Sequence, residues 1–200
     1  MRKDKNFYAL ILAGGLGSRF WPVSKESLPK QFIDLTGSGK TLIQETFIRI
    51  QKIIQIENIF ISTNEKYKEL VLKQIPEINS KNLICEQVKR NTAPSILFAS
   101  LKISQINKKS KVIVLPSDHY IKKLNEFYKN VEHAFSVSKS DRLVTFGINP
   151  KFPSTNYGYI KVKNTRESFQ KVLRFTEKPD RKLAGKFLRS NMYFWNSGIF

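Results

Sequence analysis

Three glycines follow the first apolar run of the chain and give the sequence its strongest chemical signal. The run Phe7–Ala13 leads directly into Gly14-Gly15-Leu16-Gly17-Ser18-Arg19. Glycines let a backbone approach a ligand closely and aim its N–H groups at phosphate oxygens. An arginine adds a planar, permanently charged fork for phosphate. The pattern predicts a triphosphate-binding loop formed by Gly14, Gly15, Gly17, Ser18 and Arg19.

Two familiar phosphate motifs fit this loop poorly. A Walker loop needs Gly-Lys-Ser/Thr after four intervening residues, and this loop lacks it. The dinucleotide fingerprint needs a third glycine where Arg19 stands, and an acidic residue after the next strand, where Thr63-Asn64 occur. A glycine turn with a surface arginine remains the alternative to a phosphate loop.

Lys30 and Asp118 are candidates for handling the same phosphates. Lys30 follows Pro29 close behind the glycine loop, so it could fold back over the phosphates or remain a surface lysine. Asp118 lies in Leu115-Pro116-Ser117-Asp118-His119, directly after an apolar run that reads as a buried strand. Ligands bind at the carboxyl ends of strands in open α/β sheets, and a carboxylate there suits Mg²⁺ held between protein and phosphates. We favour a metal role for Asp118 over a turn or helix-capping aspartate.

Other polar residues also follow predicted strands. Glu86 ends an apolar run, and its carboxylate can accept both the N1–H and the 2-amino hydrogens of guanine. In Glu177-Lys178-Pro179 the lysine could bind a phosphate and the glutamate a sugar hydroxyl, or the two could form an exposed ion pair of little energetic value. Asn196 offers an amide beside the ring of Trp195, which suits sugar hydroxyls.

The elements that must position these residues alternate between β-rich and amphipathic segments. Strands are predicted over Phe7–Ala13, Asn58–Ser62, Asn82–Cys85, Lys111–Leu115 and Leu143–Ile148. Helical faces between them are predicted to consist of Ile43, Phe47, Ile50 and Ile54; of Tyr67, Leu70, Val71 and Ile75; of Ala93, Ile96, Leu97 and Leu101; and of Phe127, Val131, Ala134, Phe135 and Ser138. Thr41 with Gln44 forms a capping box before the first helix.

This alternation predicts an α/β fold with a mostly parallel sheet and helices on both faces. From about residue 150 the pattern changes to strands over Tyr157–Val162 and Val172–Glu177, a helix over Arg181–Arg189, and a strand from Tyr193. We therefore expect a nucleotide-binding part over residues 1–150 and the start of a sugar-phosphate-binding part over residues 151–200. The chain stops at Phe200 inside an apolar segment, so we expect a protein truncated at its C-terminus.

Composition excludes several classes of protein. A 40% apolar share in 200 residues is incompatible with a disordered or collagen-like chain. The net charge of +19 comes mostly from scattered lysines, without the basic–aromatic interleaving of RNA-binding sheets, so we expect no nucleic-acid partner. Cys85 is the single cysteine and is expected to be a buried, inert thiol. No apolar run is long enough to cross a membrane, and we expect a cytoplasmic protein.

Taken together, these segments resemble the bacterial mannose-1-phosphate guanylyltransferases, a branch of the sugar-nucleotide pyrophosphorylases. The resemblance extends from Leu12 to Phe200 and is strongest in the glycine loop with Trp21-Pro22 and in Pro29-Lys30-Gln31-Phe32. It also includes Arg90-Asn91-Thr92-Ala93-Pro94, Pro116-Ser117-Asp118-His119, Tyr157-Gly158-Tyr159-Ile160, Phe175-Thr176-Glu177-Lys178-Pro179 and Trp195-Asn196-Ser197-Gly198. It implies a Rossmann-like fold of the nucleotide-diphospho-sugar transferase type.

The resemblance implies that GTP and mannose 1-phosphate form GDP-mannose and pyrophosphate, with Mg²⁺ as cofactor. Arg19 and Lys30 would be catalytic, and Asp118 would hold the metal. Gly14, Gly15, Gly17 and Ser18 would hold the triphosphate, and Glu86, Asn91 and Thr92 the guanosine. Gly158, Glu177, Lys178 and Asn196 would bind the sugar phosphate. A homo-oligomer of a full-length protein is left open.

Two alternatives remain open at this point. One is the same chemistry with another sugar or base, and the other is a nucleotide-binding remnant without catalysis. Family members of this kind continue well beyond the length of this chain, so we expect these 200 residues to be inactive alone.

Overall fold

The computed structural model describes residues 3–15, 17, 20–86, 92–139, 142–163 and 169–200, and the chain divides into two units between Arg142 and Leu143. The first unit contains β1 (Phe7–Leu12), α1 (Leu42–Ile50), β2 (Ile59–Asn64), α2 (Lys68–Gln74), β3 (Leu83–Glu86), α3 (Thr92–Ile106), β4 (Lys111–Pro116) and α4 (Leu124–Val137). The second contains β5 (Gly147–Ile148), β6 (Tyr159–Val162), β7 (Val172–Thr176), α5 (Arg181–Ser190) and β8 (Tyr193–Asn196).

The first unit is built on a four-stranded parallel sheet in the order β3-β2-β1-β4. Every residue from Tyr8 to Ile11 on β1 is at most 4% exposed. Side chains alternate between the two faces of a strand, so both faces of this central strand are covered. Tyr8 and Leu10 pack against Ala99 and Ile103 of α3 on one face. The predicted mostly parallel, helix-covered sheet is confirmed.

The start of α1 follows the capping box predicted at Thr41. The Thr41 backbone N–H donates to Gln44 Oε1 at 2.9 Å. This bond satisfies a donor at the helix N-terminus. The predicted apolar face is also found, since Ile43, Phe47 and Ile50 are all nearly inaccessible to solvent. The sequence pattern therefore located both the beginning and the buried side of α1.

The predicted buried face of α3 is only partly confirmed, since Ile96 packs against the core whereas Ala93, Leu97 and Leu101 are exposed. Leu97 and Leu101 are 61% and 55% exposed, whereas Ala99 and Ile103 are fully buried. Apolar residues occur on more than one side of this helix, so helical spacing alone allows two different sets of residues to form its buried face. The contacts with β2 and the sheet, which spacing does not reveal, select the set that contains Ala99 and Ile103.

The second unit has an antiparallel sheet in the order β5-β8-β6-β7. Its core consists of Tyr159, Ala184, Phe187 and Trp195, which lie between this sheet and α5. The strand predicted over Leu143–Ile148 is reduced to Gly147–Ile148 and pairs antiparallel with β8. Backbone bonds from Phe146 N–H to Ile199 O and from Ser197 N–H to Phe146 O hold this segment to the second unit.

In the described part of the chain, no helix is both long and apolar enough to span a bilayer.

Candidate functional site

The glycine loop leaves the parallel sheet where the strand order reverses. β1 is the first strand of the chain, and its two neighbours in the sheet are β2 and β4. The crossovers from β1 therefore diverge at its carboxyl end, which is where open α/β sheets bind ligands. Leu12 pairs with Pro116, and the Ser117 N–H donates to Leu12 O at 3.1 Å. The loops after β1 and β4 thus begin side by side.

Gly14, Gly15 and Gly17 play different structural parts in the loop. A Cβ atom added at Gly14 or Gly15 would meet nothing within 4 Å, and both residues are exposed. Gly17 has a φ of +66°, and a Cβ there would lie 2.6 Å from Lys30 Cγ. Gly17 is therefore required for the close packing of the loop on the Lys30 side chain, whereas Gly14 and Gly15 leave room for a ligand.

Two buried side chains hold the loop in this conformation. Gln31 is 1% exposed, and its Nε2 donates to Ala13 O at 2.8 Å and to Gly15 O at 2.9 Å. Ser24 is 3% exposed, and its Oγ donates to Gly17 O at 2.6 Å. Sequence reasoning missed both residues as parts of the site. A glutamine beside a lysine carries no signal of burial, and only the folded loop supplies its two acceptors.

Lys30 and Asp118 meet at the edge formed by β1 and β4. The Lys30 Nζ contacts Asp118 Oδ2, and the two side chains are 25% and 26% exposed. Lys30 Nζ also lies 5.6 Å from the centre of the Phe20 ring. The structure thus places Lys30 against a carboxylate and not alone on the surface. Whether the pair handles phosphate or metal stays a prediction.

His119 follows Asp118 and is half-buried. Burial lowers the pKa of His119, and the nearby Arg49 and Lys30 lower it further, while Asp118 acts in the opposite direction. A histidine with a lowered pKa is neutral at pH 7. It therefore contributes no positive charge to this edge of the sheet.

Glu86 lies at the carboxyl end of β3 in the same sheet, and Thr92 begins the next helix along the chain. Glu86 is the last residue of β3, and its Oε1 accepts from Ser62 Oγ at 3.4 Å. Thr92 is the first residue of α3 and is exposed. Three further predicted residues, Ser18, Arg19 and Asn91, lie outside the described residues.

The four residues predicted to bind a sugar phosphate come together in the second unit. The Asn196 N–H donates to Gly158 O at 2.7 Å. A Cβ at Gly158 would lie 2.8 Å from Glu177 Oε2, so the glutamate side chain passes directly over this glycine. Lys178 has a φ of +38°, and its Nζ lies 3.0 Å from Glu177 Oε1. Glu177 and Lys178 are both more than half exposed, so an exposed ion pair and a ligand-binding pair remain equally compatible with the geometry.

Comparison with known proteins identifies the family of this chain. A family-wide sequence profile described as "Nucleotidyl transferase" matches residues 8–200. The chain belongs to the nucleotidyl transferase family. The profile covers both structural units, including the glycine loop and the sheet edge that carries Asp118.

One curated protein and two solved structures illustrate what this nucleotidyl transferase chain is similar to. The mannose-1-phosphate guanylyltransferase of Escherichia coli is 40% identical over 197 residues, which cover 96% of this chain and 41% of that protein. A Thermus thermophilus structure described as a mannose-1-phosphate geranyltransferase matches with a TM-score of 0.88 and 28% identity over 97% of this chain and 56% of that one. A Helicobacter pylori structure described as a mannose-6-phosphate isomerase matches with a TM-score of 0.77 and 31% identity over 98% of this chain and 69% of that one.

This nucleotidyl transferase chain spans about two fifths of the length of the curated relatives it matches.

A single carboxylate in this nucleotidyl transferase is suited to a phosphate-bound Mg²⁺. No group of three His, Cys, Asp or Glu residues that could hold a metal occurs within the described ranges. Mg²⁺ usually keeps several waters and uses one or two carboxylates together with substrate phosphates. Asp118 beside an open glycine loop fits that requirement. In this structure the carboxylate contacts the Lys30 ammonium group.

A second glycine-containing loop, residues 36–40, precedes α1, and four of its backbone N–H groups already have an acceptor. The Asp34 Oδ1 accepts from the N–H groups of Thr36 at 3.1 Å, Gly37 at 2.8 Å and Ser38 at 3.3 Å. Its Oδ2 accepts from the Gly39 N–H at 2.8 Å. These donors are satisfied within the loop. The glycine loop after β1 is therefore the better phosphate site of the two.

Proposed function

We propose that this chain carries the nucleotidyl-transfer site of a mannose-1-phosphate guanylyltransferase. The observation that carries the proposal is the meeting of an open glycine loop, Lys30 and Asp118 at the point where the strand order reverses. The name and 40% identity of the Escherichia coli relative support mannose 1-phosphate and a guanylyl group as substrate classes. In this proposal GTP and mannose 1-phosphate give GDP-mannose and pyrophosphate.

The reaction is a single displacement at phosphorus. A phosphate oxygen of mannose 1-phosphate forms a bond to the α-phosphorus of GTP, and the bond from that phosphorus to the β-phosphate oxygen breaks. The electron pair leaves with pyrophosphate, and the nucleophile is already an anion, so no general base is needed. The barrier comes from repulsion between two anions and from charge on the leaving group. Positioned cations and N–H groups reduce both.

Lys30 is the described residue best suited to that electrostatic role. Its stem packs on Gly17 and its ammonium group lies at the sheet edge beside the loop. The backbone N–H groups near Gly14 and Gly15 would bind the triphosphate, and Ser18 and Arg19 would extend the same loop. Arg19 would add a second permanent positive charge.

Mg²⁺ is the cofactor we propose for Asp118. When bound, it would act as a Lewis acid that stabilises charge on the phosphates. Asp118 would hold it from the end of β4, and Lys30 would then be free to contact phosphate oxygens. Glu86 at the end of β3 would accept guanine N–H groups, with Asn91 and Thr92 on the nucleoside side.

The second unit would bind the sugar phosphate. The exposed Lys178 ammonium would contact the phosphate, and the Glu177 carboxylate would accept sugar hydroxyls. The Asn196 backbone N–H donates to Gly158 O, and the Glu177 side chain passes over Gly158. We further propose a cytoplasmic protein whose partners are these small molecules and not nucleic acid. We also propose that the whole protein forms a homo-oligomer.

The name of the Helicobacter pylori structure suggests isomerisation of a mannose phosphate as a second candidate. Isomerisation moves protons between neighbouring sugar carbons and needs a positioned base. The first unit instead presents a glycine loop, a lysine and a carboxylate, which suit phosphate and metal. We therefore favour nucleotidyl transfer.

Calorimetry with GTP, ATP and UTP in the presence of Mg²⁺ tests the proposal on this chain. We expect tighter binding of GTP, loss of Mg²⁺ dependence in Asp118→Ala, and loss of the preference for GTP in Glu86→Gln. Equal losses for all three nucleotides in Glu86→Gln would contradict the base assignment. We propose that these 200 residues are inactive alone, so pyrophosphate release is measured on a chain extended to the length of its relatives. There a requirement for mannose 1-phosphate, and not glucose 1-phosphate, would distinguish the proposed transferase from its close relatives and from a protein that only binds nucleotide.

A further inference from the structure

One helix holds the backbone on both sides of Asp118. The Thr46 Oγ1 of α1 donates to Ser117 O at 3.2 Å. One turn later, the Arg49 Nη2 donates to His119 O at 3.3 Å. The same Nη2 donates to Thr46 Oγ1 at 2.9 Å, which joins the two anchors into one network. The residues immediately before and after Asp118 are thus fixed to α1.

This network is buried. Thr46, Ser117 and Arg49 are 0%, 4% and 6% exposed. Burial lowers the pKa of Arg49, which Glu45 partly offsets. The guanidinium also lies 5.6 Å from the centre of the Phe127 ring. Hydrogen bonds inside such a low-dielectric site are strong when they are satisfied and costly to leave unmade.

Stability alone is a weak reason for a cation in this place. Among the ion pairs of the described residues, none joins Arg49 to a carboxylate. An apolar side chain of similar length would avoid the desolvation of a buried charge. The Arg49 guanidinium instead donates to Thr46 Oγ1 and to His119 O, which lies in the loop after β4. Its location therefore points to a part in shaping that loop.

Fixing the carbonyls of Ser117 and His119 determines where Asp118 points. An aspartate has a short side chain, so the direction of its Cα–Cβ bond largely decides where its carboxylate lies. The rigid α1, capped at Thr41 and packed through Ile43 and Phe47, supplies a fixed reference for that bond. Besides burial, Arg49 of α1 and Lys30 beside the glycine loop both lower the pKa of His119, so a positively charged side chain lies near this loop on each of these two sides.

We propose that Thr46 and Arg49 are positioning residues that orient the Asp118 carboxylate for a divalent cation. This inference rests on the metal role of Asp118 in the proposed function. Partners that orient a metal ligand typically affect metal affinity by about 10-fold or more when removed. Neither residue touches substrate or metal in this proposal, since both act through the backbone at Ser117 and His119.

Mn²⁺ alone, titrated into the ¹⁵N-labelled chain, tests the inference without any catalytic assay. Paramagnetic broadening of the Asp118 and His119 amide signals reports binding at this loop and not elsewhere on the surface. We expect Thr46→Val, which removes the hydroxyl and keeps the shape, to weaken this binding by about 10-fold. Thr46→Ser keeps a hydroxyl and should restore most of it. Arg49→Met should weaken binding at least as much as Thr46→Val.

A stability control distinguishes positioning from general destabilisation. Ile103→Val removes one methylene from the buried core of α3, away from this network. Thermal melts would rank all variants, and Ile103→Val should lower Tm without weakening Mn²⁺ binding. If Arg49→Met does not fold, the Thr46 pair decides the question.

The outcomes separate the two proposals. Wild-type Mn²⁺ affinity in Thr46→Val and Arg49→Met, together with lost binding in Asp118→Ala, would overturn the positioning role and leave the metal role intact. Equal affinities in Thr46→Val and Thr46→Ser would also overturn it. Unchanged binding in Asp118→Ala would overturn both proposals.

Discussion

The Lys30 ammonium group contacts the Asp118 carboxylate, although the two residues belong to loops that follow different strands. The contact arises because β1 and β4 are neighbours in the sheet, with Leu12 opposite Pro116. Gln31 then ties the segment that carries Lys30 back to Ala13 and Gly15. A cation supplied by the chain itself therefore lies where we propose a metal to bind.

Replacing Lys30 by methionine should strengthen divalent cation binding and weaken GTP binding. The ammonium competes for the Asp118 carboxylate, and a partly exposed ion pair contributes up to about 1 kcal/mol, or about 5-fold in affinity. Mn²⁺ titration and GTP calorimetry measure the two effects. Lys40→Met removes the same charge from an exposed position and is the matched control. A fall in Mn²⁺ affinity in Lys30→Met would show that the lysine does not compete.

Alanine substitutions at Gly17 and Gly14 should have different consequences. Gly17→Ala combines a φ of +66° with a Cβ atom 2.6 Å from Lys30 Cγ, so it should lower the free energy of unfolding by about 1–2 kcal/mol or more. Gly14→Ala meets nothing within 4 Å and should be stable, but should weaken GTP binding if phosphates approach the backbone there. Urea unfolding and calorimetry separate the two effects. Unchanged GTP affinity in Gly14→Ala would argue against phosphate contact at that residue.

The buried Gln31 amide should matter more than its place in the sequence suggests. Gln31→Leu removes the donor to Gly15 O and one of the two donors to Ala13 O, which also accepts from Thr63 Oγ1, so it should lower the free energy of unfolding by about 1 kcal/mol. The same change at exposed Gln105 should be nearly neutral. Denaturant unfolding measures both, and equal stabilities for the two variants would exclude a structural role for the amide.

Acid should remove a stabilising contribution from Asp34. Burial acts to raise its pKa, but hydrogen bonds from the N–H groups of Gly39, Thr36, Gly37 and Ser38 outweigh this effect and lower it. A carboxyl group with a lowered pKa in the folded state stabilises the fold above its unfolded pKa, near 3.8. That contribution is lost as the pH falls through the lower folded value. The stability difference between wild type and Asp34→Asn should therefore be constant near neutral pH and shrink below about pH 4. Urea unfolding at a series of pH values measures it, and a difference that does not change with pH would contradict this account.

Cys85 should react slowly with alkylating reagents. Burial, and to a smaller extent the nearby Glu65, raises the pKa of its thiol to about 11. The thiolate is the reactive form, so the iodoacetamide rate should be low at pH 8 and should keep rising towards pH 11. The structure places this cysteine in a half-buried position and not in the fully buried one that the sequence suggested. A rate that levels off near pH 8 would show an ordinary thiol.

Sequence patterns predicted most of the local structure of this chain because local structure follows local hydropathy and capping. The first strand, the buried face of α1 and its capping box all agree with expectation. The glycine loop after β1 and Asp118 after β4 were also placed correctly at strand ends. Parallel strands bring their carboxyl ends to one edge of a sheet. The succession of strands and helices along the chain was therefore enough to expect a ligand site at that edge.

Only the tertiary structure decided which partners each side chain finds. The buried face of α3, the antiparallel pairing of Gly147–Ile148 and the burial of Gln31 depend on contacts between segments that are distant in the chain. The same holds for the Lys30–Asp118 contact and for the anchoring of Asp118 by α1. Spacing in a sequence describes which residues share a face of one element. Packing sets which atoms lie opposite that face, and most buried polar groups lie where the fold supplies their hydrogen-bonding partners.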